Sequence, residues 1–545
     1  MATPMTSLER VQEAERTVFD GLYRRMDADT KLLYEDYVLT NGNGEKLPGQ
    51  ISVTMNEAII YLNTVASWIM DAKWQTTVEG KISGKTQHLI ENFLDDKQAQ
   101  ADERLSRTEF GKELPFLASH ICGRGWIGAR RLWREDKDGP YLEVIPVDMR
   151  YCSYERSGDG YNWVGLRWTR SRDAVKRDYG VELREHIAQT DVVDVWDGEK
   201  EEIWIDDKVV KTNKSNLGYP PFVIVAAPEG FLFLDKGYMT RKGESIFFLD
   251  RKLYREWNRS MSIEQSIAMM ALAPPFQRVP NKGEPASEYP NEPATVYDIP
   301  EPNTPGQANK YDLIPQPDIN AANRVAHTEI AAAIRRGGAN DLDLGNVTSG
   351  ATAILITTET EVREKIVKPR LQAIEDYKTQ SARMDIDQFQ KGHFQGEVGR
   401  FGKTREYQAA GLGDPKTYTI TYQGMSRSKK QEIANMQLFV ASQGLSLETR
   451  LRDVLMVDDP RGEIAKINAE KAEAADPVLF YFSQARSLAI EAEDLDGAEA
   501  DAKKLASMRM TKLCTDLIRQ GNIPTPGQPE QPQTNLGVSL GAGVM

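Results

Sequence analysis

The sequence predicts a mainly α, α+β protein, and three observations carry that prediction. Long segments near both ends and in the middle space apolar residues three and four apart, as one face of a helix requires. Between about 123 and 230 the period shortens, and Gly, Asp and Pro cut the chain into short β-rich pieces. From 276 to 318 the chain holds nine of its 27 prolines, so that two helical segments are parted by a stretch that cannot be helical.

Taken in order, residues 6–37 read as helix, with Leu8, Val11, Ala14, Val18 and Leu22 on its apolar side. NGNGEKLPG (41–49) is a loop, and MNEAIIYLNTVASWIM (55–70) a second helix burying Ile59, Leu62, Ala66 and Ile69. A third helix is expected over roughly 101–121. GWIGARRLW, YLEVIPVDMRYCSYE, NWVGLRWTRS, DVVDVWDGEKEEIWIDDKVVK and YPPFVIVAAPE then form an antiparallel meander, which makes the first 240 residues an α/β body. Residues 241–273 read as one long helix that stops at Pro274-Pro275. In the Pro-rich excursion, VYDI and YDLI look like short strands; helix resumes at 319–336. A protruding hairpin fits this pattern, and the competing reading is a linker between domains.

A polar, Gly-rich loop, GGANDLDLGNVTSG (337–350), precedes a helix expected from Ala351 to Gln390. Its stripe is Leu355, Val362, Ile366, Ala373 and Tyr377, and Pro369 inside it should kink it. Residues 394–424 return to strand and turn, 425–520 to helix, and the Pro-, Gly- and Gln-rich tail from 521 has the composition of disorder.

Chemistry is sparse. GRGWIG (Gly123, Gly125, Gly128) has the letters of a dinucleotide loop, but a helix precedes it and a strand follows, the reverse of what a pyrophosphate cradle needs. It reads as a turn, and no cofactor is expected. His88, His120, His186, His327 and His393 stand apart, Cys122, Cys152 and Cys514 have neither disulfide nor zinc spacing, and GxxxxGK[ST] and GxSxG are missing. VDDPRGE (457–463) pairs two acids before a proline, which suits metal or acid–base chemistry. Asp459 before Pro460 is better read as a helix cap with proline at the first helical position, and Ser446 before LETRLRDVL repeats the device. No catalytic or metal residues are assigned.

The net charge is −13, from 81 acidic and 68 basic residues, against the basic surplus of a protein that grips DNA. No apolar run reaches the roughly 18 residues that cross a bilayer, so no membrane partner is expected. The first residues lack a basic then apolar leader, and manufacture in a reducing cytoplasm is the expectation.

An ordered set of local patterns resembles the portal proteins of tailed bacteriophages. VIPVDMRY (144–151) resembles the strand and turn of the portal wing, and GESIFFLDRKLYREWNRSMS (243–262) the first stem helix, with its Asn258-Arg259. The Pro-rich clip, the return helix and TSGATAILITTETEVREKIVKPRLQAIEDY (348–377) follow in portal order, and GLSLETRLRDVLMVDDPRGEIAKINAE (444–470) resembles the segment near the portal C-terminus. Together they span roughly residues 50–475. The resemblance implies a wing (1–240), first stem helix (241–273), clip (274–318), second stem helix (319–336), channel loop (337–349), long kinked helix with a return to the wing (350–424), helical crown (425–520) and tail (521–545).

It further implies a non-enzymatic ring of about twelve copies at one capsid vertex of the virion, the channel for double-stranded DNA during packaging and ejection. Its expected partners are the terminase, neck or adaptor proteins, the major capsid protein and scaffolding proteins. The channel loop then supplies the DNA-facing candidates Arg335, Arg336, Asn340, Asp341, Leu342, Asp343, Leu344 and Asn346. Its glycines permit flexing, its aspartates repel phosphate, and the two arginines at the helix end offer transient contacts. An ordinary surface turn is the competing reading of the loop. Another capsid or neck ring component, or a metal-dependent nucleic-acid enzyme using scattered acids, are the alternatives for the whole chain.

Overall fold

Thr6 opens the fold with a capping box. In the computed structural model its hydroxyl accepts the Glu9 amide (3.2 Å) while the Glu9 carboxylate accepts the Thr6 amide (2.7 Å), starting helix α1 (Ser7–Ala14). The structure describes residues 5–278 apart from 138, 159, 185, 231, 232, 234, 273 and 275. It further describes 296–298, 311–313, 321–337, 353–425, 436, 439–442, 444–455, 463–464, 466–468, 471–472, 476–493 and 498–519. About half of the protein is helix and a quarter strand, in several small sheets: a mainly α, α+β fold.

The expected first helix is broken by a wide π-turn at Glu15–Phe19 and continues as α2 (Asp20–Leu33). Helix α3 (Glu57–Met70) follows, but its buried stripe is Ala58, Tyr61, Val65, Ala66 and Ile69, turned by about one residue from the face expected at Ile59 and Leu62. The third expected helix is two: α4 (Gly84–Leu105) and α5 (Glu113–Gly123). They part where the Asp102 carboxylate turns outward from α4 to accept the Glu113 amide (3.0 Å) that starts α5.

Strand β1 (Lys73–Gly80) lies before α4. Two further sheets follow α5, made from β2 (Trp126–Asp136), β3 (Gly139–Pro146), β4 (Cys152–Arg156), β5 (Tyr161–Ser171), β6 (Gln189–Asp197), β7 (Lys200–Ile205), β8 (Lys208–Lys214) and β9 (Phe222–Ala226). A short helix α6 (Arg172–Tyr179), capped by Ser171, interrupts them. Strands β4 to β8 are the expected antiparallel meander, whereas the other sheet runs β3-β2-β9, so β9 returns past the whole meander to pair with β2. The GRGWIG stretch is a turn: α5 ends at Gly123, Gly125 has φ +72°, and β2 begins at Trp126.

Downstream lie α7 (Leu253–Leu272), three short strands β10 (Phe276–Arg278), β11 (Val296–Asp298) and β12 (Tyr311–Leu313), and α8 (Ala321–Gly337). Helix α9 (Ala353–Lys391) then runs through Pro369 to the hairpin β13 (Gln395–Arg400) and β14 (Lys403–Gln408), and to β15 (Tyr418–Met425). Strand β15 pairs antiparallel with β1, so Lys73 faces Met425 and Gly80 faces Tyr418. Ala373 and Tyr377 of the expected α9 stripe are buried and Ile366 is partly so; the side chains of Leu355 and Val362 lie outside the described ones.

The main core gathers α3, α4, α5, β2, α9 and β15 around Phe93, Trp133, Phe389 and Tyr407. Phe93 and Phe389 sit 4.9 Å apart between ring centres, and Trp133 and Phe389 4.8 Å, within the range where aromatic pairs attract beyond simple burial.

Two compact units divide the chain, Met1–Arg427 and Ser428–Met545. In the second, Ser446 accepts the Thr449 amide (3.1 Å) and starts a helical turn, as the sequence leads one to expect. Helices α10 (Pro477–Glu493) and α11 (Ala498–Arg519) form an antiparallel pair in which Ser507 donates to the Ala485 carbonyl (2.7 Å). Helix α10 opens on Asp476-Pro477, with the Asp476 carboxylate accepting the Val478 amide (2.8 Å): the Asp-Pro start read at Asp459-Pro460. Residues 456–462 themselves lie outside the described residues; Glu463 is described and pairs with Lys466 (3.1 Å).

Candidate functional site

The segment ahead of α7 is not the expected helix: where it starts, Arg25 and Trp126 take the carbonyls that a helix would use. Arg25 donates to the carbonyls of Thr240 and Gly243 (both 2.7 Å), and the Trp126 indole donates to Lys242 O (3.0 Å). Gly243 (φ +63°) and Gly125 meet face to face. A Cβ on Gly125 would stand 2.0 Å from the Gly243 carbonyl, so only glycine fits. Asp29, 1% exposed, accepts from Ser245 (2.8 Å) and pairs with Arg251, which also reaches Glu244 (2.8 Å). These bonds fasten the start of α7 to α2 and β2.

Helix α7 carries Asn258, Ser262 and Ser266 at four-residue spacing, hence on one face. Residues 51–55 run along that face in the opposite sense. The Met55 amide donates to Asn258 Oδ1 (2.8 Å), Val53 to Ser262 Oγ (2.9 Å) and Ile51 to Ser266 Oγ (2.9 Å). Each serine hydroxyl can accept the strap's amide and still donate to the helix carbonyl four residues back, 2.7 Å away in both cases. On the strap's other edge, Ser52 and Thr54 accept the amides of Leu39 and Tyr37 (3.1 and 2.9 Å). A stretch between the expected loop and helix is thus zipped between two neighbours.

Helix α8 meets α7 through His327, whose ring stacks on Trp257 (4.2 Å between centres, 26°). Ser260 Oγ lies 3.2 Å and Glu264 3.8 Å from the same nitrogen, His327 Nδ1. Serine, histidine and glutamate in contact suggest a catalytic triad, but a triad needs the acid on the ring nitrogen opposite the one that takes the serine proton. With both at Nδ1, the contact joins two helices. Beyond the pair, β10 is central in a three-stranded sheet, parallel to β11 and antiparallel to β12, and Phe276, just past α7, lies opposite Leu313, just before α8. VYDI and YDLI are therefore strands, and the chain goes out along α7 and returns along α8.

Helix α9 is held in the body by a buried charge cluster. Arg131 donates to both oxygens of Asp385 (3.0–3.1 Å) and to Glu113 (2.6 Å), Lys97 pairs with Asp385, and Tyr377 donates to Glu113 (2.5 Å). None of the four charged side chains is more than 4% exposed. Burial alone would raise the Asp385 carboxyl, but Arg131 and Lys97 overcome it and hold it below the usual carboxylate range. Burial pulls Lys97 down to about 8, against the attraction of Asp385. Burial likewise raises Asp194 to about 7 despite its ion pair with Arg130 (3.0 Å), and burial alone lifts Asp250 to about 6. The cluster escaped the sequence reading, although a charge at 385 on the apolar side of a long helix is itself a signal that a buried partner exists.

Of the DNA-facing candidates, Arg335 and Arg336 lie in the last turn of α8 with side chains outside the described ones. Asn340, Asp341, Leu342, Asp343, Leu344 and Asn346 lie outside the described residues altogether. Among the described residues no group of three or more His, Cys, Asp or Glu side chains is placed to hold a metal ion, and no helix is long and apolar enough to cross a membrane. Cys122 and Cys152 are buried free thiols, and burial pushes Cys122 up to about 12. No protein-family model matches the chain, and no curated protein matches it.

Proposed function

We propose that this protein is the subunit of a portal ring, a DNA channel at one capsid vertex, as the resemblance in its sequence implies. The observation that carries the proposal is the path of the chain: out along α7, through a small sheet set in the Pro-rich excursion, back along α8, then into the body along α9. On this reading α7 and α8 are the stem, the sheet is the clip, the α/β body is the wing and the second unit contributes the crown. Residues 337–349 are the channel loop, and the clip is the docking surface for terminase and then for neck proteins.

Two further features support it. Ile263, Met269, Leu272 and Val325 of the paired helices are exposed, and neighbours in a ring would cover them. The acidic balance suits a conduit as well: twelve copies carry 12 × −13 = −156 formal charges, and every phosphate gripped by a basic residue would add friction. Function is then mechanical, with α9 rooted by its charge cluster and α7 by its strap.

Light scattering under assembly conditions tests the reading. Twelve copies of 61.3 kDa give about 740 kDa (12 × 61.3), and electron micrographs should show rings with a central channel. A protein that stays monomeric at every concentration and salt would refute it.

A further inference from the structure

The α/β body has a groove of about 570 Å³ between β3, the end of β5 and the chain just past α4. Its wall is an open sheet edge. Among the described residues strand β3 pairs only with β2, and the Val147 amide donates to Gly128 O (2.9 Å), which fixes the odd-numbered residues of β3 as those bonded to β2. The even-numbered residues direct their backbone groups away from β2. Two of them, Pro140 and Pro146, have no amide to lose, but Leu142 and Val144 do. Among the described residues neither amide has a hydrogen-bond partner beyond β2.

Three arginines stand among the side chains that line the rest, beside Leu105, Phe110 and Trp168. Arg104 lies over the Tyr141 ring (3.7 Å) and pairs with Asp136 (2.8 Å), and Arg107 is largely exposed, its one ion-pair partner among the described residues being Glu103, four residues earlier (3.1 Å). Arg170 lies over Trp168 (5.4 Å) and has no ion-pair partner among the described residues. Of the two acids in the lining, Glu143 is already held by Arg130 and Arg134 (3.0 and 2.9 Å), which leaves Glu109. Five consecutive residues of β3, Tyr141–Ile145, line the groove, a length of about 16 Å at roughly 3.3 Å per residue.

We infer that the groove is the docking site for an extended, acidic segment of a partner protein, which adds as a strand to β3. Its backbone meets the free amides of Leu142 and Val144, and its carboxylates meet the guanidinium groups of Arg107 and Arg170. The inference stands apart from the portal reading, since it needs neither a ring nor DNA.

Fluorescence anisotropy on the full chain tests it, with the labelled peptide TVEVDVT, its lysine counterpart TVKVKVT, and TVEVDVT N-methylated at alternate amides. The acidic peptide should bind at least tenfold more tightly than the other two. Arg107→Glu with Arg170→Glu should weaken it at least tenfold, and exposed Arg107→Glu alone should weaken it measurably without disturbing the fold. The bound peptide should slow hydrogen exchange at Leu142 and Val144. Equal binding of the three peptides, no binding at all, or an unchanged affinity in the variants would overturn the inference. So would protection of those two amides by raising the protein concentration alone, since a second copy would then be the occupant.

Discussion

Replacing Asp385 by asparagine removes one charge from the root of α9 and keeps its shape. Lys97 and Arg131 against Glu113 and Asp385 sum to zero (2 − 2); the variant leaves one unpaired positive charge almost wholly buried. Breaking such a pair from one side costs about 3–5 kcal/mol. The protein has one escape, which is to release the Lys97 proton. With its pKa at about 8, deprotonation at pH 7 requires about 1.4 kcal/mol in the intact protein, and less once Asp385 no longer attracts the proton. Because the folded pKa lies below the unfolded one, the unfolded chain binds more protons above it, and stability rises with pH. In the intact protein that rise begins near pH 8; in the variant it begins lower, so the gap between them narrows by up to about 1.4 kcal/mol from pH 7 to 8. Urea denaturation followed by circular dichroism at both pH values measures this. Lys97→Met added to Asp385→Asn restores a balanced core and should recover a large part of the loss. A cost under about 1 kcal/mol at pH 7, or a double variant no more stable than Asp385→Asn alone, would refute the reasoning.

Asn258→Ala or Ser262→Ala leaves the amide of Met55 or Val53 without its acceptor, for a loss of about 1–3 kcal/mol each; hydrogen exchange at residues 51–55 should speed up, and unchanged exchange would remove the strap from the account. Asp250 has its folded pKa raised to about 6, so the stability it contributes is complete below about pH 4 and is lost as pH rises through 6. Melting curves of Asp250→Asn should lack that decline between pH 4 and 6. For the channel loop, Asp341→Lys with Asp343→Lys should leave rings intact while DNA packaging slows or retention falls; wild-type packaging and retention would turn the loop away from the DNA.

Where local periodicity decides structure, the sequence was legible. The meander, α3 and the strands VYDI and YDLI follow from spacing and from punctuation by Gly, Asp and Pro. Failure came where a distant partner decides. Residues 243–252 have a helical pattern, but Arg25, more than two hundred residues away in the chain, takes the carbonyls of Thr240 and Gly243 where that pattern begins. Strand β1 went unread because only β15 completes it, and the face of α3 moved by one residue because the rest of the core sets its angle. At the candidate site, the out-and-back path was legible from the prolines. The buried charges were not, since Lys97 and Asp385 stand 288 residues apart.

The strap along α7 also sets its own length. Every second residue of an extended chain advances about 6.6 Å, whereas every fourth residue of a helix advances about 6.0 Å, so each rung falls about 0.6 Å out of step. Over the three rungs at Asn258, Ser262 and Ser266 the slip reaches about 1.2 Å, which side-chain torsions absorb. A fifth rung would be out by about 2.4 Å, nearly a whole hydrogen-bond length. The two pitches act as a vernier with one coincident mark: all three bonds form together only when Val53 stands at Ser262, and sliding by a single residue presents the opposite edge of the strap to the helix. Its short run of polar rungs thereby fixes where along the helix the segment sits as well as holding it there.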